Sequence, residues 1–233
     1  MSILARASEP KSGAAYPWTV VAISVATSML LLSYLVLDAP ASRLWIEFWG
    51  FKPESVMESL SEARLDGRNP ELLSLVTALF THTSGLHLAG NLAYLWVFGI
   101  PVERGIGHIR FLLIFLVFGT FSNLFVVLQI PDLDRYIIGS SGGVSAVVGA
   151  YLGLFPTRRI GLWLPLGLFL QFARIPALLV IGSWFTLQLL YTVFGPMSGA
   201  VAWWTHVAGF VAGLAAAVAL RMISGRITLD RED

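Results

Sequence analysis

A chain of 233 residues in which 56% are apolar and only 12% are charged does not have the composition of a soluble domain. Soluble domains carry about a quarter charged residues, so much of this surface is expected to face a lipid bilayer. The net charge of +1 gives no reason to expect nucleic acid as a partner. The lack of cysteine excludes disulfides, thiolate nucleophiles and cysteine-ligated zinc.

The chain begins with a polar segment, 1–17, followed by an apolar run, 18–37, that is long enough to cross a bilayer. The run is longer than the apolar region of a signal peptide. Ala39-Pro40-Ala41 loosely resembles a cleavage site, so processing there stays open. The segment 38–70 is polar and acidic, and its length predicts a first outer loop with structure of its own. Its aromatic residues favour a position in the headgroup layer.

Further apolar runs predict an all-α, polytopic membrane protein with six transmembrane helices, which forms one membrane domain over 18–221. The five spans after the first are 86–102, 111–130, 142–155, 175–194 and 200–220. Residues 160–173 lie before Arg174 and Pro176 and are predicted to form an interfacial or re-entrant piece.

The basic residues orient these spans. With the N-terminus inside, ten of the 15 Lys and Arg residues fall on the inner side, and most acidic residues fall outside. An excess of Lys and Arg marks cytoplasmic segments. Both terminal segments, 1–17 and 222–233, are therefore predicted to be cytoplasmic.

Five polar residues within or at the ends of the predicted spans require an explanation, because polar groups are costly at membrane depth. His87 and Asn91 lie in the second span, Ser141 and Ser145 at the start of the fourth, and His206 in the sixth. In the six-span arrangement all five lie near the outer ends of their helices. The sequence therefore predicts one polar site that is built from three helices.

Ser141 lies in the glycine-rich run Gly139-Ser140-Ser141-Gly142-Gly143, where the fourth span begins. Free N–H groups and the positive end of the helix dipole favour a developing oxyanion at such a position. A serine that only caps the helix would have the same local sequence. The motif alone does not decide between a nucleophile and a cap.

His206 can accept a serine proton near neutral pH. It shares a helix face with Gly209 and Gly213, and the fourth span has a matching face of small residues, so close packing of the two helices would bring His206 to Ser141. A histidine hydrogen-bonded to a neighbouring helix is the alternative interpretation. No Asp or Glu in the spans could orient it, which favours a dyad over a triad.

His87 and Asn91 are four residues apart and share one helix face, from which both side chains could donate hydrogen bonds to an oxyanion. A metal site on His87 and His206 is a further alternative. It lacks a third protein ligand in the spans, so we expect no metal.

Three motifs in this order resemble those of the rhomboid family of intramembrane serine proteases. They are His82-x4-His87-x3-Asn91, Gly139-Ser140-Ser141-Gly142 and His206-x2-Gly209-x3-Gly213. The resemblance implies Ser141 as nucleophile, His206 as base, and His87 and Asn91 as oxyanion stabilisers. It also implies that Trp184 gates substrate entry at the fifth span and that the reaction needs no cofactor. Many members have an aromatic residue where this chain has Ser145.

The resemblance further implies a multi-pass protein of a bacterial-type cell membrane, with its active site toward the outer face. Its partners would be transmembrane protein substrates and the lipid bilayer. A catalytically silent rhomboid-like protein that binds membrane helices is the alternative function. A transporter is a third class of function. It would require polar groups through the whole membrane thickness, whereas here they cluster near the outer ends of the helices.

Overall fold

A computed structural model describes residues 16–62, 69–166, 169–194 and 197–224. The described chain is mostly helical. Its helices are α1 (Trp18–Leu35), α2 (Ala39–Trp49), α3 (Pro53–Ser61), α4 (Pro70–Thr77), α5 (Gly85–Ile106), α6 (His108–Gln129), α7 (Ser141–Leu154), α8 (Ala177–Phe194) and α9 (Met197–Ser224). Between α7 and α8 the strands β1 (Arg159–Leu166) and β2 (Phe169–Pro176) form an antiparallel hairpin.

Four helical segments among the described residues are long and apolar enough to cross a bilayer. They are α1, α5, α6 and the part of α9 from Trp203 to Ile223. α7 has 14 residues, and the apolar stretch of α8, Ala177–Leu190, is also shorter than a full span. These four helices agree with four of the six predicted spans. The count of six and the cytoplasmic location of both termini stay predictions.

The predicted first outer loop contains the helices α2 and α3, which begin at proline-containing first turns. Prolines suit this position because the first N–H groups of a helix have no intrahelical partner. Phe51 pairs with Ile137 in an isolated bridge, and Lys52 contacts Asp134 at 3.0 Å. The first loop is therefore attached to the segment that leads into α7. Residues 63–68 of this loop lie outside the described residues.

Glu103 fastens the start of α1 to the end of α5. Its buried carboxylate accepts hydrogen bonds from the N–H groups of Thr19 and Val20, at 2.7 and 2.8 Å, and it contacts His108. The first N–H groups of a helix have no intrahelical acceptor, so a carboxylate from a distant helix can satisfy them. This contact fixes α1 against the rest of the bundle.

Glycines allow α7 and α9 to pack closely. A Cβ atom at Gly209 or Gly213 would collide with the carbonyl oxygens of Gly142 and Ala146, and one at Gly149 would collide with that of Phe210. Backbones this close need glycine, because any side chain would separate the helices. The predicted contact between the two small-residue faces is confirmed.

The hairpin is a departure from the all-α prediction. The sequence was expected to form an interfacial or re-entrant piece over 160–173, and the described residues of this stretch, 160–166 and 169–173, lie in two paired strands. Gly161, Pro165 and Gly167 interrupt it, and proline and glycine both oppose a helix. Its other residues are mainly large and apolar, which suits extended chain.

Candidate active site

A cavity of about 240 Å³ lies between α5, α7, α8 and α9. The predicted site residues Ser141, His206, His87, Asn91 and Trp184 all line this cavity, which is called the Ser141 cavity below. The fold therefore brings these five residues together. The lining residues of the cavity are Leu86, His87, Gly90, Asn91, Tyr94, Ser141, Val144, Ser145, Trp184 and His206.

Ser141 is the first residue of α7, and the chain reaches it through a strained turn. Gly139 has a φ of 129°, in a region that side chains other than glycine rarely adopt. A Cβ atom at Gly139 would also lie 2.8 Å from the ring of His87. The glycine therefore serves two purposes, since it permits the turn and lets the His87 ring approach the nucleophile loop. The free N–H groups of the α7 N-terminus lie beside Ser141.

His206 is held by a glutamine that we did not assign to the site from the sequence. Its Nδ1 lies 2.9 Å from Oε1 of Gln188, which is on α8. An amide oxygen can only accept, so Nδ1 carries the proton and Nε2 keeps a lone pair. No acidic residue was expected near His206, and Gln188 supplies a neutral acceptor instead.

Aromatic rings flank the imidazole of His206 on two sides. The ring centroid of Trp184 lies 6.1 Å away at a tilt of 35°, and that of Trp203 lies 6.0 Å away at 80°. Position 145, where many rhomboids have an aromatic residue, carries a buried serine here. Trp184 and Trp203 thus provide the aromatic packing for this histidine.

Trp184 also closes the gap between α8 and α5. Its ring centroid lies 5.8 Å from that of Tyr94, which faces it across the cavity. This ring contact joins two helices of the cavity wall. A separation of α8 from α5 would open the cavity sideways.

His82 lies behind the cavity and ties two of its walls together. Its Nε2 faces the amide nitrogen of Asn91 at 3.0 Å, and Ser140 approaches the same atom with its N–H at 3.4 Å and its hydroxyl at 3.3 Å. Because an N–H donates to it, Nε2 is an acceptor and the ring is neutral. His82 therefore orients Asn91 and holds the loop before Ser141.

Burial lowers the pKa of His82 from 6.5 to about 4, and the neighbouring His87 lowers it further in the same direction. The fully buried ring cannot easily take up a proton, because the charged form would lose its hydration. A neutral His82 keeps its acceptor nitrogen available to Asn91 and Ser140 near neutral pH.

The amide of Asn91 has two N–H donors. One faces His82, which leaves the other available toward the cavity that Asn91 lines. The ring of His87 packs edge-on against that of His82, with centroids 5.0 Å apart. Both predicted oxyanion donors are therefore positioned by the same buried histidine.

Sequence reasoning missed Gln188, Tyr94 and Trp203 as parts of the site. Gln188 could have been noticed, because it is a polar residue in an apolar helix and lies one turn after Trp184. Trp203 could also have been noticed, because it lies three residues before His206 on one helix. Tyr94 gives no such signal, since aromatic side chains are common throughout this chain.

The predicted alternative of a metal site can be compared with the geometry. Among the described residues, no group of three or more His, Cys, Asp or Glu side chains could hold a metal ion. Protein zinc sites use at least three such ligands. The expected absence of a metal and of a cofactor stays a prediction.

The helices and the serine–histidine cavity define a membrane-embedded protein with a hydrolase-like site. The family model of the rhomboid domain matches residues 69–223, well over half of the chain. The protein belongs to the rhomboid family.

Two curated proteins are similar to this chain. The putative rhomboid protease YdcA of Bacillus subtilis is 30% identical over 123 residues, which cover 51% of this chain and 61% of that protein. The rhomboid protease GlpG of Haemophilus influenzae is 24% identical over 192 residues, which cover 80% of this chain and 86% of that protein. The names of both relatives describe proteases.

Proposed function

We propose that this protein is an intramembrane serine endopeptidase that cleaves transmembrane segments of other membrane proteins with a Ser141–His206 dyad. The observation that carries the proposal is the Ser141 cavity, where residues from four helices meet. Family membership and the names of the two relatives support the same reaction class.

In the proposed reaction, the Ser141 hydroxyl attacks the scissile carbonyl carbon while Nε2 of His206 takes its proton. The imidazolium then gives this proton to the leaving amine, which departs as the C–N bond breaks. A water molecule, deprotonated by the same nitrogen, hydrolyses the acyl-enzyme and regenerates Ser141. Gln188 supports this cycle because its oxygen keeps the proton on Nδ1 and stabilises the imidazolium.

The negative charge of the tetrahedral intermediate requires donors that are in position before the reaction. Asn91, His87 and the backbone N–H of Ser141 are the proposed donors, since all three residues line the cavity. Preorganised donors of this kind stabilise an oxyanion strongly in a site shielded from water.

Trp184 is the proposed gate. It joins α8 to Tyr94 on α5 by ring contact, so a substrate helix could enter from the bilayer once these rings separate. The substrate must unwind locally to expose its carbonyl, and unpaired backbone groups are costly in lipid. Substrate segments with helix-breaking residues are therefore the preferred class.

The membrane placement is part of the proposal. The protein would be a multi-pass component of a bacterial-type cell membrane, with both termini cytoplasmic and the Ser141 cavity toward the outer face. The basic residues after α7 and the acidic residues of the first loop support this orientation. The reaction needs no metal or cofactor.

A second candidate function is that of a catalytically silent rhomboid that binds membrane helices. One observation favours it, because the Ser141 hydroxyl makes no hydrogen bond to His206 among the described residues. Catalytic hydrogen bonds are often long in the absence of substrate, so this geometry does not outweigh the shared cavity.

Cleavage of a generic transmembrane substrate by the purified protein tests the proposal. The wild type should cleave, and Ser141→Ala should not. Ser145→Ala is the matched control, because Ser145 lines the same cavity one turn further along α7. Equal cleavage by wild type and Ser141→Ala would end the proposal, and binding without cleavage by both would favour the silent alternative.

A further inference from the structure

The β1–β2 hairpin interrupts the helical bundle at the end opposite the Ser141 cavity. Four residues separate the end of α7 from the start of β1, and β2 runs directly into α8. The N–H of Ala177 donates to the carbonyl of Arg158 at 2.8 Å and closes the base of the hairpin. Because two helices of the membrane domain enter and leave at this base, the strands start at the boundary of the bilayer.

The two faces of the hairpin differ. Ile160 is buried in the core of the bundle, so the face that carries it is turned inward at the base. Side chains alternate along a strand, and the register pairs Gly161 with Arg174. Arg159, Arg174 and the half-exposed Phe172 therefore share the outward face.

This outward face is basic and aromatic. The ring of Phe172 covers Gly161, where a Cβ atom would lie 2.6 Å from it. Arg159 and Arg174 are both exposed and lie on the same face of the hairpin as this ring. The sequence has no Asp or Glu from 135 to 229, and the nearby Glu103 is buried and occupied by the N-terminus of α1. Neither Glu103 nor any residue from 135 to 229 therefore supplies a carboxylate that could neutralise Arg159 and Arg174.

The composition of the hairpin excludes a position in free water. Between 160 and 173 the one polar side chain is Gln171. A two-stranded hairpin is marginally stable on its own, and this one has far too much apolar surface for its own two strands to bury. In the described part of the chain no third strand pairs with the outer edges of β1 and β2. Free N–H and C=O groups are costly in the hydrocarbon core, so the hairpin cannot lie there either.

We propose that this hairpin is an interfacial anchor that lies in the headgroup layer and binds anionic phospholipid through Arg159 and Arg174. Headgroups and water satisfy the strand edges there, while the apolar residues rest against the acyl chains. Guanidinium groups bind phosphate oxygens in bidentate fashion, and arginines near an anionic leaflet are attracted to it. Strands of eight residues reach about 26 Å along the surface.

A spin label on the full-length protein tests this anchor. The chain has no cysteine, so Gln171→Cys gives one attachment site, on an exposed residue of β2. The labelled protein is placed in nanodiscs of zwitterionic lipid or of zwitterionic lipid mixed with phosphatidylglycerol. Collision of the label with oxygen, which partitions into lipid, is compared with collision with a water-soluble nickel chelate.

The label should become protected from the nickel chelate as the anionic fraction rises. Each arginine contributes roughly a fivefold factor to partitioning at an anionic surface, so in the double variant Arg159→Gln/Arg174→Gln the protection should no longer rise with the anionic fraction. The charge-matched control Arg43→Gln/Arg135→Gln alters exposed residues of the first loop and of the segment before α7, and should leave the protection unchanged.

Three outcomes would overturn the anchor. These are a label that stays in water in anionic nanodiscs, protection that does not depend on Arg159 and Arg174, and dipolar broadening that reports pairing of the hairpin with a second copy. Added inorganic phosphate distinguishes a lipid from a free anion, because it should not displace the hairpin from the membrane. The readout does not involve proteolysis, so its result is independent of the proposed reaction.

Discussion

The amide oxygen of Gln188 lies 2.9 Å from Nδ1 of His206, and this hydrogen bond joins α8 to α9. Trp184, one turn before Gln188 on α8, packs its ring against the same imidazole. The helix proposed to gate the substrate therefore also holds the proposed base. Outward movement of α8 would break this hydrogen bond, so substrate entry and the orientation of His206 are coupled.

Replacement of Gln188 tests this coupling. Gln188→Leu removes the acceptor and should lower kcat roughly tenfold, the effect of one lost hydrogen bond, while KM changes little. Gln188→Glu should retain activity and shift the acidic limb of the pH–rate profile to higher pH, because a carboxylate stabilises the imidazolium and His206 must be neutral to act as the base.

The matched control for Gln188 is Gln129→Leu, the same change at an exposed position at the end of α6. It should leave kcat unaltered. If Gln188→Leu retained full activity with an unchanged pH profile, the glutamine would have no positioning role.

The glycine contact between α7 and α9 gives a prediction about stability. Gly213→Ala would force a methyl group into the carbonyl of Ala146. Overpacking of this kind costs typically 1–3 kcal/mol, so the midpoint of thermal unfolding in detergent should fall by several degrees. Cleavage should fall as well, because the same contact brings Ser141 and His206 to one cavity.

Gly182→Ala is the counterpart on α8, since no atom lies within 4 Å of a Cβ at that position. Alanine is favoured over glycine inside a helix, so this variant should be as stable as the wild type or more so. Equal destabilisation by both substitutions would contradict the close packing at Gly213.

The fully buried His82 predicts a dependence of stability on pH. Its pKa is lowered to about 4, so between pH 4 and 6.5 the unfolded chain binds a proton that the folded chain does not. The contribution of neutral His82 to the free energy of unfolding is fully present above pH 6.5 and is lost as the pH falls toward 4. This loss in the free energy of unfolding is on the order of 3 kcal/mol.

Chemical denaturation at a series of pH values, on wild type and His82→Gln, measures this effect. Glutamine can hydrogen-bond but does not titrate in this range, so the variant should lack this part of the decline in acid. Carboxylates titrate in both proteins, and the difference between the two curves isolates His82. Parallel curves would mean that the ring is protonated in the folded state.

The helices and the meeting of the site residues could be predicted from the sequence, because both depend on local periodicity. Gly209 and Gly213 repeat with the helical period, and so do the small residues that start at Ser141, which predicts the contact found between α7 and α9. The polar residues of the spans were recognisable because burying a polar side chain in the bilayer costs free energy, so such residues usually have a functional role.

Other features depend on tertiary contacts that no local pattern encodes. The partner of His206 is decided by how α8 rotates against α9, and the sequence of α8 alone does not fix that rotation. The β1–β2 hairpin was missed because an apolar run with interspersed prolines has no clear period of 2 or 3.6. Tyr94 reaches the cavity only through the packing of α5 against its neighbours, whereas Trp203 contacts His206 within α9 itself.

The central claim is that Ser141 is a nucleophile activated by His206. Reaction of the purified protein with a fluorophosphonate probe, followed by peptide mass spectrometry, measures this most directly. The account predicts one phosphonylated serine, Ser141, in the wild type, and its loss in His206→Ala. An unmodified Ser141, or modification of Ser140 or Ser145 in its place, would contradict it.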